Sequence, residues 1–139
     1  MSPQIPLILP FGLLGGCILG AVFLLWVRRL GRWENAVLAA GLEAAALLYL
    51  TMAWLGRGSR AEIQLEFVGV VVFTLLALVG LRWWPTLLGI GWLLHAGWDI
   101  LVHWPPQPWV PVLYPLSCVA FDLVIAAYFL FLATLREEA

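Results

Sequence analysis

Five long apolar runs divide this chain of 139 residues, and they restrict its fold more than any other feature. Each run contains close to the roughly 20 residues that an α-helix needs to cross a bilayer core of about 30 Å. Apolar residues make up 64% of the chain, well above the share found in soluble domains. The sequence therefore predicts an all-α integral membrane protein, with residues 1–139 forming one bundle of five transmembrane helices. The predicted spans are residues 6–27, 35–55, 61–81, 85–103 and 110–135.

Two of the boundaries between runs carry recognisable helix signals. Ser59 and Glu62 have the spacing of a capping box, in which each side chain accepts a hydrogen bond from a free backbone N–H at the start of a helix. Pro85 and Pro111 suit the first turns of the fourth and fifth helices, where a missing N–H costs nothing. These signals place helix starts close to the predicted spans.

The basic side chains, all of them arginine, set the expected orientation. Arginine gathers on the cytoplasmic side of membrane proteins. We therefore expect the N-terminus outside and the C-terminus in the cytoplasm. The formal net charge of −1 and the lack of a larger basic patch exclude nucleic acid as a partner. With five spans, one face carries Arg28, Arg29, Arg32, Arg82 and Arg136, and the other carries Arg57 and Arg60.

The first helix has a ridge of small residues. Gly12, Gly16 and Gly20 recur every four residues, so they lie along one face of the helix. In an apolar helix such a ridge allows another helix to approach closely. We expect it to be a packing groove inside the bundle, with homodimerisation as the alternative.

Besides Glu62 of the capping box, six acidic or histidine residues fall inside the predicted spans. Charged groups in hydrocarbon are costly, and they usually mark a functional interior. No lysine is present, and every arginine lies at the end of a run, so compensation must come from histidine, a proton or a metal cation. The depths of these six residues along the helices predict a cavity that opens to the outer side of the membrane. The six residues are Glu43, Glu66, His95, Asp99, His103 and Asp122.

A divalent metal site is the leading interpretation of these residues. Histidine and carboxylate ligands suit zinc, iron or manganese and leave positions open for water or substrate. His95, Asp99 and His103 share one face of the fourth helix and are the predicted metal ligands. The other residues are predicted in supporting roles, with Asp122 and Glu66 as catalytic groups or further ligands, and Glu43 and Cys118 as a proton relay or outer partners of the ligands.

Several of these residues also have a purely structural interpretation. His103 can lie at the membrane interface beside the proline-rich loop, and Asp99 can serve only to accept a hydrogen bond from His95. Glu66 can extend to the outer surface, and Cys118 can be a small core residue. The sequence leaves both interpretations open.

The segment from Gly89 to His103 resembles a family of small bacterial integral membrane proteins of unknown function. It follows the family pattern GxGWxxHxxWDxxHH, except that Val102 stands where the pattern has the first histidine of its final pair. The proline-rich stretch 104–111, the Cys–Asp segment 117–122 and Glu66 with Phe67 continue the similarity. The resemblance implies a multi-pass protein of the bacterial inner membrane and the position of the site, and it implies no activity.

Three functions fit the sequence. The first is a membrane-embedded metal-dependent enzyme that acts on a lipid or another apolar small molecule. The second is a proton- or cation-coupled transporter, in which Glu43 and Asp122 carry the proton. The third is an accessory or assembly subunit of a larger membrane complex, in which His95 or His103 binds a haem-type pigment.

Overall fold

The structure, a computed structural model, describes the backbone of residues 5–137 and the side chains of residues 8–131. The described residues form five α-helices and one short 3-10 turn, so the all-α prediction is confirmed. The 3-10 turn, Gly31–Trp33, joins the first two helices. The helices are α1 (Ile5–Arg28), α2 (Glu34–Leu55), α3 (Arg60–Arg82), α4 (Thr86–His103) and α5 (Tyr114–Glu137).

Local sequence explains where two of these helices begin. The capping box at the start of α3 is present, with the Ser59 N–H donating to Glu62 Oε2 at 2.6 Å and the Glu62 N–H donating to Ser59 Oγ at 3.3 Å. The fifth helix begins at Tyr114, four residues after the start of the predicted span. Pro115 then takes the first-turn position for which Pro111 was proposed, and Pro111 belongs to the preceding loop.

Four of the helices, α1, α2, α3 and α5, are long and apolar enough to cross a membrane. Their outward faces expose large apolar side chains along most of their length. The fourth helix has 18 residues, carries two histidines and one aspartate, and is not among these four. These properties indicate a multi-pass membrane protein.

Successive helices alternate in direction. The Tyr128 hydroxyl near the end of α5 donates to the Glu34 carboxylate at the start of α2. Gly12 and Gly20 of α1 meet Leu116 and Phe121 of α5 in the same order along the chain, so these two helices run parallel. The main contacts of α5 are with α1 and α4, and α4 also packs against α3. Both α4 and α5 therefore face the interior of the bundle.

The glycine ridge of α1 lies against α5 of the same chain. Gly12, Gly16 and Gly20 are all buried. A Cβ added at Gly16 would overlap the carbonyl oxygen of Ser117, and one at Gly20 would lie 3.2 Å from the carbonyl oxygen of Phe121. The ridge therefore forms a close helix contact inside the bundle.

Candidate metal centre

One face of α4 presents three polar side chains to the bundle interior. His95, Asp99 and His103 follow at intervals of four residues, and each is fully buried. Neighbouring helices bring one carboxyl group each to this face. Asp122 comes from α5 and Glu66 from α3, with 1% and 3% of their surfaces exposed.

Among the described residues, His95, Asp99 and Asp122 form the one group of three side chains that could hold a metal ion. His95 Nδ1 lies 2.7 Å from Asp122 Oδ2 and 3.7 Å from Asp99 Oδ2. One ligand atom from each of the three residues lies within 4.8 Å of the others. The structure thus adds a residue from α5 to the i, i+4 pair of α4.

One hydrogen bond, between His95 Nδ1 and Asp122 Oδ2, lies within this group, and other polar atoms of the group have no partner. Both carboxyl oxygens of Asp99 and the Nε2 atom of His95 are buried without a hydrogen-bond partner. An unsatisfied buried polar group typically costs about 1–3 kcal/mol, and more if it is charged. Two carboxyl groups and one imidazole in a buried space need a proton or a cation to offset that cost.

The ligand atoms are close enough together for one small divalent ion to reach all three. Two ligands bound to zinc at about 2.0–2.1 Å with tetrahedral geometry lie about 3.3–3.4 Å apart. The distance of 3.7 Å from His95 Nδ1 to Asp99 Oδ2 is close to that separation, whereas the 2.7 Å contact with Asp122 Oδ2 is a hydrogen bond that would lengthen around an ion. The group can therefore hold a metal ion.

His103 does not join this group but pairs with Glu66. Its Nε2 atom lies 3.4 Å from Glu66 Oε1. The other Glu66 oxygen accepts a hydrogen bond from Trp98 Nε1 at 3.4 Å. The structure thus divides the predicted ligand set, because His95 and Asp99 come together with Asp122 of α5, whereas His103 meets Glu66 of α3.

Two residues near the site were not predicted from the sequence. Tyr49 of α2 stacks on the His103 ring, with centroids 3.7 Å apart and planes at 2°. Its hydroxyl lies next to the Asp99 carboxyl. Gln107 of the loop after α4 lies 3.2 Å from His103 Nδ1. A buried tyrosine gives no signal in an apolar run, and a loop glutamine resembles any solvent-facing residue.

The remaining predicted residues lie to the side of the His95 group. Glu43 is half-buried and accepts a hydrogen bond from the Thr74 hydroxyl at 2.7 Å. It is not one of the residues that come together around His95. Cys118 lies one turn before Asp122 on α5, and its thiol is free.

A cavity of ≈ 590 Å³ lies between α1, α2 and α5. Its wall is almost entirely apolar, with Phe23, Leu48 and Trp92 among the largest side chains. Asp122 and Cys118 also line it. One ligand candidate therefore lies in the wall of an apolar cavity.

Residues 11–135 match the DUF6010 family, which is described as a family of unknown function. No curated protein and no solved structure matches the chain significantly. Because the match covers most of the chain, the protein belongs to the DUF6010 family.

Proposed function

We propose that this DUF6010 protein binds a divalent metal ion through His95, Asp99 and Asp122, and that it uses the ion as a membrane enzyme on an apolar substrate. The observation that carries the proposal is the state of Asp99, whose two carboxyl oxygens are buried without a hydrogen bond. A cation bound between the three side chains satisfies Asp99 and offsets the charge of both carboxylates. The ligand types suit zinc, iron or manganese.

In this proposal α4 also crosses the membrane and brings the number of transmembrane spans to five. Its 18 residues extend about 27 Å, close to the thickness of the bilayer core. The interior position of α4 keeps its polar face away from lipid.

Arg28 and Arg82 end α1 and α3, while Arg57 and Arg60 lie at the other end of the bundle. The positive-inside rule then places the N-terminus outside and the C-terminus in the cytoplasm of a bacterial inner membrane. The side chain of Arg136 lies outside the described residues.

The cavity beside Asp122 supports an apolar substrate. Its volume of ≈ 590 Å³ is within the range typical of small-molecule sites. The apolar wall suits a hydrocarbon substrate, and Asp122 lies where that substrate would meet the proposed metal ion. A bound divalent ion supplies Lewis acidity for an ester or a phosphate group held there. The catalytic role of Glu66 remains a prediction, since Glu66 contacts His103 and Trp98 instead.

Transport is the second candidate, and one observation favours it. A small void is lined by both His95 and Glu66, so buried titratable groups follow one another from Asp122 to His103 through the bundle. Such a series can pass protons between sites. The haem-type pigment gains no support, because the His103 ring is stacked on Tyr49 and the His95 ring lies against Phe73.

The metal site is tested by elemental analysis of detergent-purified protein. Asp99→Asn and Asp122→Asn keep the size of each side chain but replace the carboxylate with an amide, which is a weaker metal ligand. Glu43→Gln is the matched control, because Glu43 is a carboxylate in a span that lies outside the group. We expect tightly bound metal in the wild type and in Glu43→Gln, and its loss in the other two variants. A wild type that is metal-free and takes up no zinc at micromolar concentration refutes the site.

The enzymatic part has a separate test. Lipid extracts of cells that produce the wild type are compared by mass spectrometry with those of cells that produce Asp122→Asn at equal levels. We expect one lipid class to change between the two. Identical lipid profiles, together with a metal-loaded wild type, would refute the lipid enzyme and leave the metal site to the transporter.

A further inference from the structure

We propose that His103 and Glu66 form a second divalent-cation site, separate from the His95 group. The pair lies where the C-terminal end of α4 meets the first turns of α3. Both side chains are buried, His103 completely and Glu66 with 3% of its surface exposed. This site depends on which nitrogen of His103 carries the proton, and it is independent of the metal site proposed above.

Gln107 assigns the proton of His103. The Gln107 Nε2 amide donates to the backbone oxygen of Val102 at 2.6 Å. This contact fixes the amide orientation, so its carbonyl oxygen faces His103 Nδ1 at 3.2 Å. A carbonyl oxygen only accepts hydrogen bonds, so the His103 Nδ1 atom carries the hydrogen and donates it. The Nε2 atom of a neutral His103 ring then presents a lone pair.

That lone pair faces a carboxylate. His103 Nε2 is buried without a hydrogen bond and lies 3.4 Å from Glu66 Oε1. Two electron-rich atoms directed at each other in a buried space are unfavourable, whereas a cation between them makes both of them ligands. Their separation equals the roughly 3.3–3.4 Å expected for two ligands of a tetrahedral zinc ion.

The surroundings of the pair resemble those of known metal ligands. Histidine ligands usually donate their second N–H to a carbonyl or carboxylate group, as His103 does to Gln107. Trp98 donates to Glu66 Oε2 and orients the carboxylate. Tyr49 is stacked flat on the His103 ring and restricts its rotation. The two candidate ligand side chains, His103 and Glu66, are therefore each held in place by a further contact.

Together the two sites would make a two-ion centre along α4. Asp99 and His103 are one helical turn apart, a rise of about 6 Å. The Tyr49 hydroxyl, which is buried and without a hydrogen bond, lies beside Asp99 while its ring covers His103. Tyr49 thus contacts both sites.

The test is a count of Co²⁺ ions bound by metal-stripped protein in detergent, measured by equilibrium dialysis. We expect two ions per chain in the wild type and in the Glu43→Gln control. Glu66→Gln keeps an oxygen for Trp98 and is expected to bind one ion, as is Asp122→Asn. Gln107→Ala leaves both ligands present but frees the His103 tautomer, so the affinity of one ion should fall about 10–100-fold.

The two proposals fail separately in this experiment. If Glu66→Gln binds as many ions as the wild type, the second site is refuted whatever Asp122→Asn shows. If the wild type binds one ion that is lost in Glu66→Gln and kept in Asp122→Asn, the second site stands and the His95 site falls. A wild type that binds no Co²⁺ refutes both. Circular dichroism and gel filtration of each variant establish that a lost ion reflects a lost ligand.

Discussion

The contact between α1 and α5 at Gly16 gives a sharp test of the fold that positions Asp122. Gly16→Ala adds a single carbon atom, which would overlap the Ser117 carbonyl oxygen and lie 2.9 Å from the Ala120 Cβ atom. Neither obstacle is a flexible side chain. Because Ser117 and Ala120 lie within two turns of Asp122, displacement of α5 would also move that carboxyl group away from His95.

The magnitude follows from contact distances. Carbon atoms in contact lie about 3.5–4.0 Å apart, so the Ala120 contact alone requires α1 to move outward by roughly 0.6–1.1 Å. Overpacking of this kind costs about 1–3 kcal/mol. Alanine also stabilises a helix relative to glycine by about 0.5–1 kcal/mol, and this gain must be removed from the comparison.

Gly15→Ala is the control for this gain in helix propensity. Gly15 is the preceding residue of the same helix, and an added Cβ there meets nothing within 4 Å. The free energy of unfolding is measured by SDS titration in mixed micelles, with the fluorescence of the nine tryptophans as the signal. We expect Gly16→Ala to be less stable than Gly15→Ala by about 1–3 kcal/mol. Equal stabilities would refute the close contact. A change of oligomeric state in Gly16→Ala at unchanged stability would favour homodimerisation through the ridge.

Two further predictions concern the start of α3 and the cavity beside Asp122. Ser59→Ala removes the cap of α3 and should lower the free energy of unfolding by about 0.5–2 kcal/mol in the same titration; an unchanged value would contradict the capping box. In a Cys17→Ser background, a hydrophobic maleimide should label Cys118 more slowly in the presence of a long-chain fatty acid, as measured by mass spectrometry. Equal labelling rates would contradict a cavity that accepts a hydrocarbon chain.

The sequence predicts helix positions well because hydropathy and capping are local. Four helices have the length and composition of membrane spans, and Ser59 and Glu62 show where α3 begins. The start of α5 differs because residues 110–113 are apolar but belong to a loop. Hydropathy reports which residues avoid water, and an apolar loop packed on a bundle gives the same signal as a helix.

The division of the polar residues depends on long-range packing. The i, i+4 spacing of His95 and Asp99 places them on one face, and this follows from the sequence. Whether Asp122 or His103 completes that group depends on how α5 and α3 are rotated against α4. The apolar residues that set these rotations surround each helix almost evenly, so hydrophobic periodicity does not indicate them. The roles of Tyr49 and Gln107 could not be predicted for the same reason.

The polarity of α4 also has a consequence for biosynthesis. In the five-span arrangement, α4 enters the bilayer after α3, to which it is joined by only three residues, and before α5 has been synthesised. An aspartate costs up to about 2.5–3.5 kcal/mol when it is inserted in a span, and Asp99 enters before α5, which completes the buried group, has been made. Insertion of α4 therefore depends on α2 and α3, against which it packs and which enter before it. Substitutions in α3 that disturb its packing against α4 should therefore reduce the amount of correctly inserted protein.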